Sequence, residues 1–356
     1  MPAQPSALGW VRQHAALLVL SLLFGGGLVW LLEAGALPVF PPRGAWASVR
    51  GWVLAPYALS FLGVHLVRCC RWRLLVTQEE RPGLGLTIAL SLIGYGAQVL
   101  LPFRLGEAAR PALMRSEAKL PLGTAAGVVG AERIVDGLVL SLFLLIALSL
   151  APRVSPLPDH IGELPVPAAI IPTLVWSAVV AFGGLSVCMV GVHLFEVQLS
   201  RLIERLLGGR WPGFASWAQR TMASVARGFV FLRKLDTTPA FAALTGLYWV
   251  FNILGAWLLL WAAGITHPSL LEAGVILGVL CLGVAVPNAP GFFGTFQISG
   301  YSALVLFYPL GQVTSAGAVF LFTLYVIQMS ITLGAAGIAL PWLARQRALG
   351  AKGRAT

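Results

Sequence analysis

The chain alternates long apolar runs with short polar connections. Runs long enough to cross a bilayer, about 20 residues at helical rise, are read over 14–32, 52–67 (slightly short), 122–150, 168–194, 241–263 and 313–340. Two further runs break instead of continuing. The run over 84–101 meets Pro102, which has no amide to donate and disrupts a helix. The run over 270–286 meets Pro287-Asn288-Ala289-Pro290-Gly291-Phe292-Phe293-Gly294, a cluster of prolines and glycines that ends a helix. The apolar piece after it, 295–308, is short for a span. Short alternating strands, the mark of a barrel, are not read anywhere.

Basic residues then orient the runs. Cations concentrate on the cytoplasmic side of membrane helices. With both breaks read as turning points, 20 of the 24 Lys and Arg fall on one side. Arg43, Arg50 and Arg153 fall on the other, and Arg133 sits within a helix. A full crossing by 84–101 would instead strand Arg104, Arg110, Arg115 and Lys119 outside. The pattern therefore predicts an all-α polytopic membrane protein. It has about six full transmembrane helices plus two opposed re-entrant hairpins, about 84–115 and 271–308, with an inverted repeat of the two halves left open. A single transmembrane domain is expected over 1–341. It includes an amphipathic cytoplasmic segment over 195–240, and a basic cytoplasmic tail follows over 342–356. Both termini are expected in the cytoplasm, and the membrane is expected to be the cytoplasmic (inner) membrane of a bacterium.

Composition sharpens this. The chain is 58% hydrophobic and 10% charged, with a mean hydropathy of +0.85, whereas soluble domains carry about 25% charged residues. The net charge of +11 comes from cations at the ends of apolar runs and does not argue for nucleic acid. Cys69, Cys70, Cys188 and Cys281 lack metal-ligand spacing and read as small packing residues. No metal or cofactor is expected.

Charges in so apolar a chain are costly, roughly 2.5–3.5 kcal/mol for each Arg or Asp at the centre of an inserted helix. Those beside the breaks are therefore site candidates. Arg104, Glu107 and Arg110 recur at intervals of three and share a helix face. Two guanidinium forks around one carboxylate leave a positive site suited to phosphate. Glu132 and Asp136, four apart, share another face beside Arg133. They read either as ion-pair partners of the first hairpin or as a proton or cation relay. The second break offers backbone groups with Asn288, Gly291, Gly294 and Gln297. Nothing supplies a nucleophile elbow, a nucleotide loop or a metal cluster.

Three motifs together carry a resemblance that covers nearly the whole chain: Pro102-Phe103-Arg104-Leu105-Gly106-Glu107 with Arg110; Glu132-Arg133 with Asp136; Pro287 with Pro290-Gly291 and Gly294. In order and separation the chain resembles the transmembrane region of lysylphosphatidylglycerol synthetases, the flippase part of multiple peptide resistance factors. The resemblance implies a translocase that moves a phospholipid or lipid-linked headgroup across the bilayer. It is expected to be free-standing, without the aminoacyltransferase domain that makes the aminoacylated lipid. The family's third motif usually continues to a Glu where this chain has Gln297, which counts against gripping a cationic lysyl headgroup there. The implied partners are a membrane phospholipid or glycolipid and a separate lipid synthase or glycosyltransferase; a homo-oligomer is left open. Two alternatives stand beside transport: an intramembrane transferase acting on a lipid-linked sugar, and a non-catalytic membrane partner of a lipid-modifying synthase.

Overall fold

The computed structural model describes residues 15–76, 82–154, 156–160, 162–164, 170–227, 237–286 and 288–352. Arg12, Arg81, Arg233, Lys234, Pro287 and Arg354 lie outside the described residues. Helices dominate and no strand occurs among the described residues. Five helical stretches are long and apolar enough to cross a membrane: Gly51–Leu75, Leu122–Leu150, Ile170–Leu194, Thr237–Ala262 and Leu310–Leu349. The first expected span is the helix Ala15–Ala34. Large apolar side chains on these helices, Leu62, Ile146, Val187 and Ile338 among them, are exposed, as expected of surfaces that face lipid rather than water.

The main correction concerns the second helix. The expected span covers 52–67 and ends in the basic run Arg68-Cys69-Cys70-Arg71-Trp72-Arg73, whose cations place that end on the inner side. Instead the helix continues through it to Leu75. Arg71 is fully buried and Arg68 half-buried. The chain accepts this because a carboxylate waits opposite Arg71, as described below. The last helix likewise runs on through the expected tail, Ala318–Lys352. Of the cysteines, Cys69 alone is core; Cys281 is half-buried and Cys70 and Cys188 are exposed.

Both expected breaks fold as helical hairpins. In the first, the helix Leu84–Leu100 stops because Pro102 pushes Leu101 out of the helical region, to φ −89°, ψ 134°. Phe103 and Arg104 then take left-handed backbone, φ 49° and 60°, a conformation that costs about 1–2 kcal/mol for residues with a Cβ. The chain returns through a tight turn over Pro102–Ala108 into the helix Ala109–Glu117. Gly106 permits this closeness: a Cβ there would sit 2.2 Å from the Ala97 carbonyl oxygen and 2.3 Å from the Gln98 Cα, both backbone atoms. In the second hairpin the helix Leu270–Gly283 starts at a capping box of Ser269 and Glu272 and pairs with the return helix Thr295–Leu304. Gly291 and Gly294 adopt φ +70° and +85°, which glycine supplies without strain.

The last helix relates the two hairpins. Gly85 and Gly96 of the first lie against Trp342 and Ala336; Gly291 and Gly300 of the second lie against Tyr325 and Leu321. The hairpins thus approach from opposite ends of a stretch about 30 Å long at 1.5 Å per residue, with their tips facing each other. The tips touch. The Phe103 amide donates to the Asn288 carbonyl at 2.9 Å, and Arg104 Nη1 donates to the Val284 carbonyl at 2.8 Å.

Candidate functional site

Three elements bring charge to the tip region. The second helix contributes Arg68 and Arg71. The first hairpin contributes Gln98, Arg104, Glu107 and Arg110. The helix Leu122–Leu150 contributes Glu132, Arg133 and Asp136. On that helix the i, i+4 spacing sends Glu132 and Asp136 to one face, and Arg133 is turned by about 100° toward the hairpin turn.

The charges form two layers. Beneath lie a buried ion pair and a second, largely buried one whose Asp136 reaches the cavity wall. Arg110 meets Glu132 at 2.7 Å with both side chains almost wholly buried, in contact but not aligned for a linear hydrogen bond. Arg71 pairs with Asp136 through both terminal guanidinium nitrogens. Above them, Glu107 accepts from Arg104 at 2.6 Å and from Gln98 at 2.6 Å, and lies 3.3 Å from Arg133. Gln98 also accepts from Arg133 at 3.2 Å, so the upper layer is one connected network.

Over this network opens a cavity of about 680 Å³, within the roughly 300–1,000 Å³ typical of ligand sites. Its polar wall includes His65, Arg68, Tyr95, Gln98, Arg104 and Arg133. Its apolar wall includes Val129, Leu140, Phe182, Leu277, Phe292 and Phe296. Gln328, Met329 and Thr332 close it from the last helix, in the gap between the two hairpin contacts.

Of the residues singled out from sequence, Arg104, Glu107, Arg133 and Asp136 line the cavity; Arg110 and Glu132 form the buried pair beneath it. Asn288 is buried and donates its side-chain amide to the Val284 and Val286 carbonyls at 3.0 and 2.9 Å. Gln297 accepts from the Gly294 amide at 2.8 Å. These two residues, with Gly291 and Gly294, build the second tip and stay behind the cavity wall, which is formed there by Phe292 and Phe296. Sequence reasoning missed Arg68, Tyr95, Gln98 and His65. A signal was available: His65, Arg68 and Arg71 recur at helical spacing of three, one face of a helix, although the basic run read as an orienting loop end.

An all-helical fold with five helices long and apolar enough to cross a membrane and two facing hairpin tips defines a class: polytopic integral membrane proteins. The chain belongs to the lysylphosphatidylglycerol synthase transmembrane-region family, whose model matches residues 18–331. No curated protein and no solved structure is detectably similar to it. Membership places it among membrane proteins concerned with lipids.

Proposed function

We propose that the protein is a flippase-like translocase that moves the headgroup of a phospholipid or lipid-linked molecule across the bilayer. The observation that carries this is the cavity at the meeting of the two hairpin tips. It is lined by guanidinium, carboxylate and amide groups on one side and by aliphatic and aromatic side chains on the other. A headgroup needs the first wall and an acyl or prenyl chain the second. In this reading both hairpins are re-entrant and enter from opposite faces of the cytoplasmic membrane, with both termini in the cytoplasm. Broken backbone at depth is tolerated where it lines a cavity, and sites at such breaks recur in transporters. A separate lipid synthase or glycosyltransferase would supply or consume the lipid.

The test is reconstitution of the full chain in liposomes carrying fluorescent phospholipids, with external dithionite quenching as readout. Protein-dependent loss of the protected inner-leaflet signal is expected. Arg104→Ala should slow it at least tenfold while the protein stays monodisperse, because Glu107 keeps Arg133 and Gln98. Quenching no faster than in empty liposomes, or an Arg104→Ala variant as active as wild type, would sink the proposal.

A further inference from the structure

The charge inventory at the cavity does not balance. Five guanidiniums (Arg68, Arg71, Arg104, Arg110 and Arg133) face three carboxylates (Glu107, Glu132 and Asp136), an excess of two positive charges. Each carboxylate is committed. Glu132 is held by Arg110, Asp136 by Arg71, and Glu107 by Arg104, Gln98 and Arg133.

Two cations are in surplus: Arg104 and Arg133 share the one Glu107 carboxylate, and Arg68 has none. Arg68 lines the cavity, and among the described residues it has neither an ion pair nor a hydrogen bond. Its Nε is buried without an acceptor. Its guanidinium lies 3.9 Å from the centre of the Tyr95 ring. That contact packs the guanidinium on the ring and satisfies none of its N–H groups. A buried donor without a partner costs about 1–3 kcal/mol, more when charged. A fork packed on a ring at a cavity wall, with no acceptor of its own, can take phosphate oxygens two at a time.

We infer that Arg68 is the headgroup-binding residue, and that the ligand class is a lipid carrying phosphate with net negative charge and no compensating cation. A phosphomonoester or diphosphate with two negative charges matches the excess best. A cationic headgroup, such as an aminoacylated one, finds no free carboxylate and meets surplus positive charge. This rests on the translocase reading and specifies its substrate.

The experiment uses the purified full chain in a neutral detergent. Binding is measured at two salt concentrations with four probes: short-chain phosphatidic acid, phosphatidylglycerol, lysyl-phosphatidylglycerol and inorganic phosphate. Phosphatidic acid should bind at least tenfold more tightly than the lysyl lipid and more weakly at high salt. Arg68→Gln should abolish that preference. Arg68→Lys, which keeps the charge and loses the fork, should retain part of it. Because no carboxylate is orphaned by either change, the melting temperature should hold. If the glutamine variant does not fold, the lysine variant and the wild-type ranking still decide.

Equal or tighter binding of the lysyl lipid, or unchanged selectivity in Arg68→Gln, overturns the inference. Inorganic phosphate competing as well as phosphatidic acid also overturns it, because the site would then read free phosphate. The liposome assay separates the two failures. If no lipid moves while phosphatidic acid still binds through Arg68, translocation falls and this site stands. If lipids move but the cationic one moves fastest, this site falls and translocation stands.

Discussion

Replacing Glu132 with Gln isolates the lower ion-pair layer. The Arg110 and Glu132 side chains are 4% and 2% exposed and 2.7 Å apart, so neither charge can turn to solvent when its partner is lost. Removing one member of such a buried pair costs about 3–5 kcal/mol, chiefly from the uncompensated charge left behind. Unfolding entropy near 2.1 cal/mol/K per residue comes to about 0.75 kcal/mol/K for the 356-residue chain. A loss of ~4 kcal/mol then lowers Tm by about 5 °C. Helices that persist in micelles reduce that entropy and enlarge the shift. Removing both charges, with Arg110→Met and Glu132→Leu, should recover the loss, because apolar replacements of similar volume spare the desolvation cost of two buried ions. The assay is thermal unfolding in detergent followed by light scattering and near-UV circular dichroism. Retention of phosphate-lipid binding by the double variant would mark the lower layer as a lock beneath the site. A single variant melting with wild type, or a double variant melting below the single, would refute the reasoning.

Further outcomes follow from other contacts. Gly106→Ala should prevent the first hairpin from closing, because its Cβ would strike backbone atoms that cannot move aside; loss of monodisperse protein on size exclusion checks this. Arg347 donates to Glu117 at 2.7 and 3.0 Å, and these hydrogen bonds hold the Glu117 carboxyl below its usual range. That contribution is present above the unfolded carboxylate pKa of about 4.3 and is lost as pH falls through the lower folded value. It should be at most about 1 kcal/mol, since Arg347 is solvated. Wild type and Glu117→Gln should therefore differ in Tm at pH 7 and converge below pH ~4. The helices Glu196–Ile203 and Pro212–Arg227 expose Val197, Leu202, Phe214 and Trp217 beside Arg201 and Arg220. A spin label at Phe214 should report headgroup depth in nanodiscs, and full aqueous accessibility would count against an interfacial segment.

Much of the fold was legible because hydropathy and proline placement act locally. The helix Leu122–Leu150 has the expected bounds, and Leu101 leaves the helix because Pro102 follows it. The site was legible by halves. Arg104 and Glu107 announce themselves as charges beside a break, and Arg133 as a cation inside an apolar helix. Arg68 and Arg71 did not, because a cation at the end of an apolar run has the same local signature whether it faces headgroups or a buried Asp136. That difference is decided 65 residues further along the chain. Asn288 and Gln297 are ambiguous for a related reason: an amide beside a glycine turn suits a ligand or the turn itself, and here the turn hydrogen-bonds both.

The contact between the tips also sets an order of events. Arg104 caps a carbonyl 180 residues downstream. At ~5–20 residues per second, a ribosome needs about 10–40 s to make that partner. Until then the Phe103 amide and Arg104 Nη1 lack their acceptors, and unpaired polar groups are not stable in hydrocarbon. The first hairpin must therefore wait in a wet or shielded place and complete its insertion only when the second arrives. A chain arrested before Val284 should leave its first tip open to aqueous labelling, and release past Asn288 should close it.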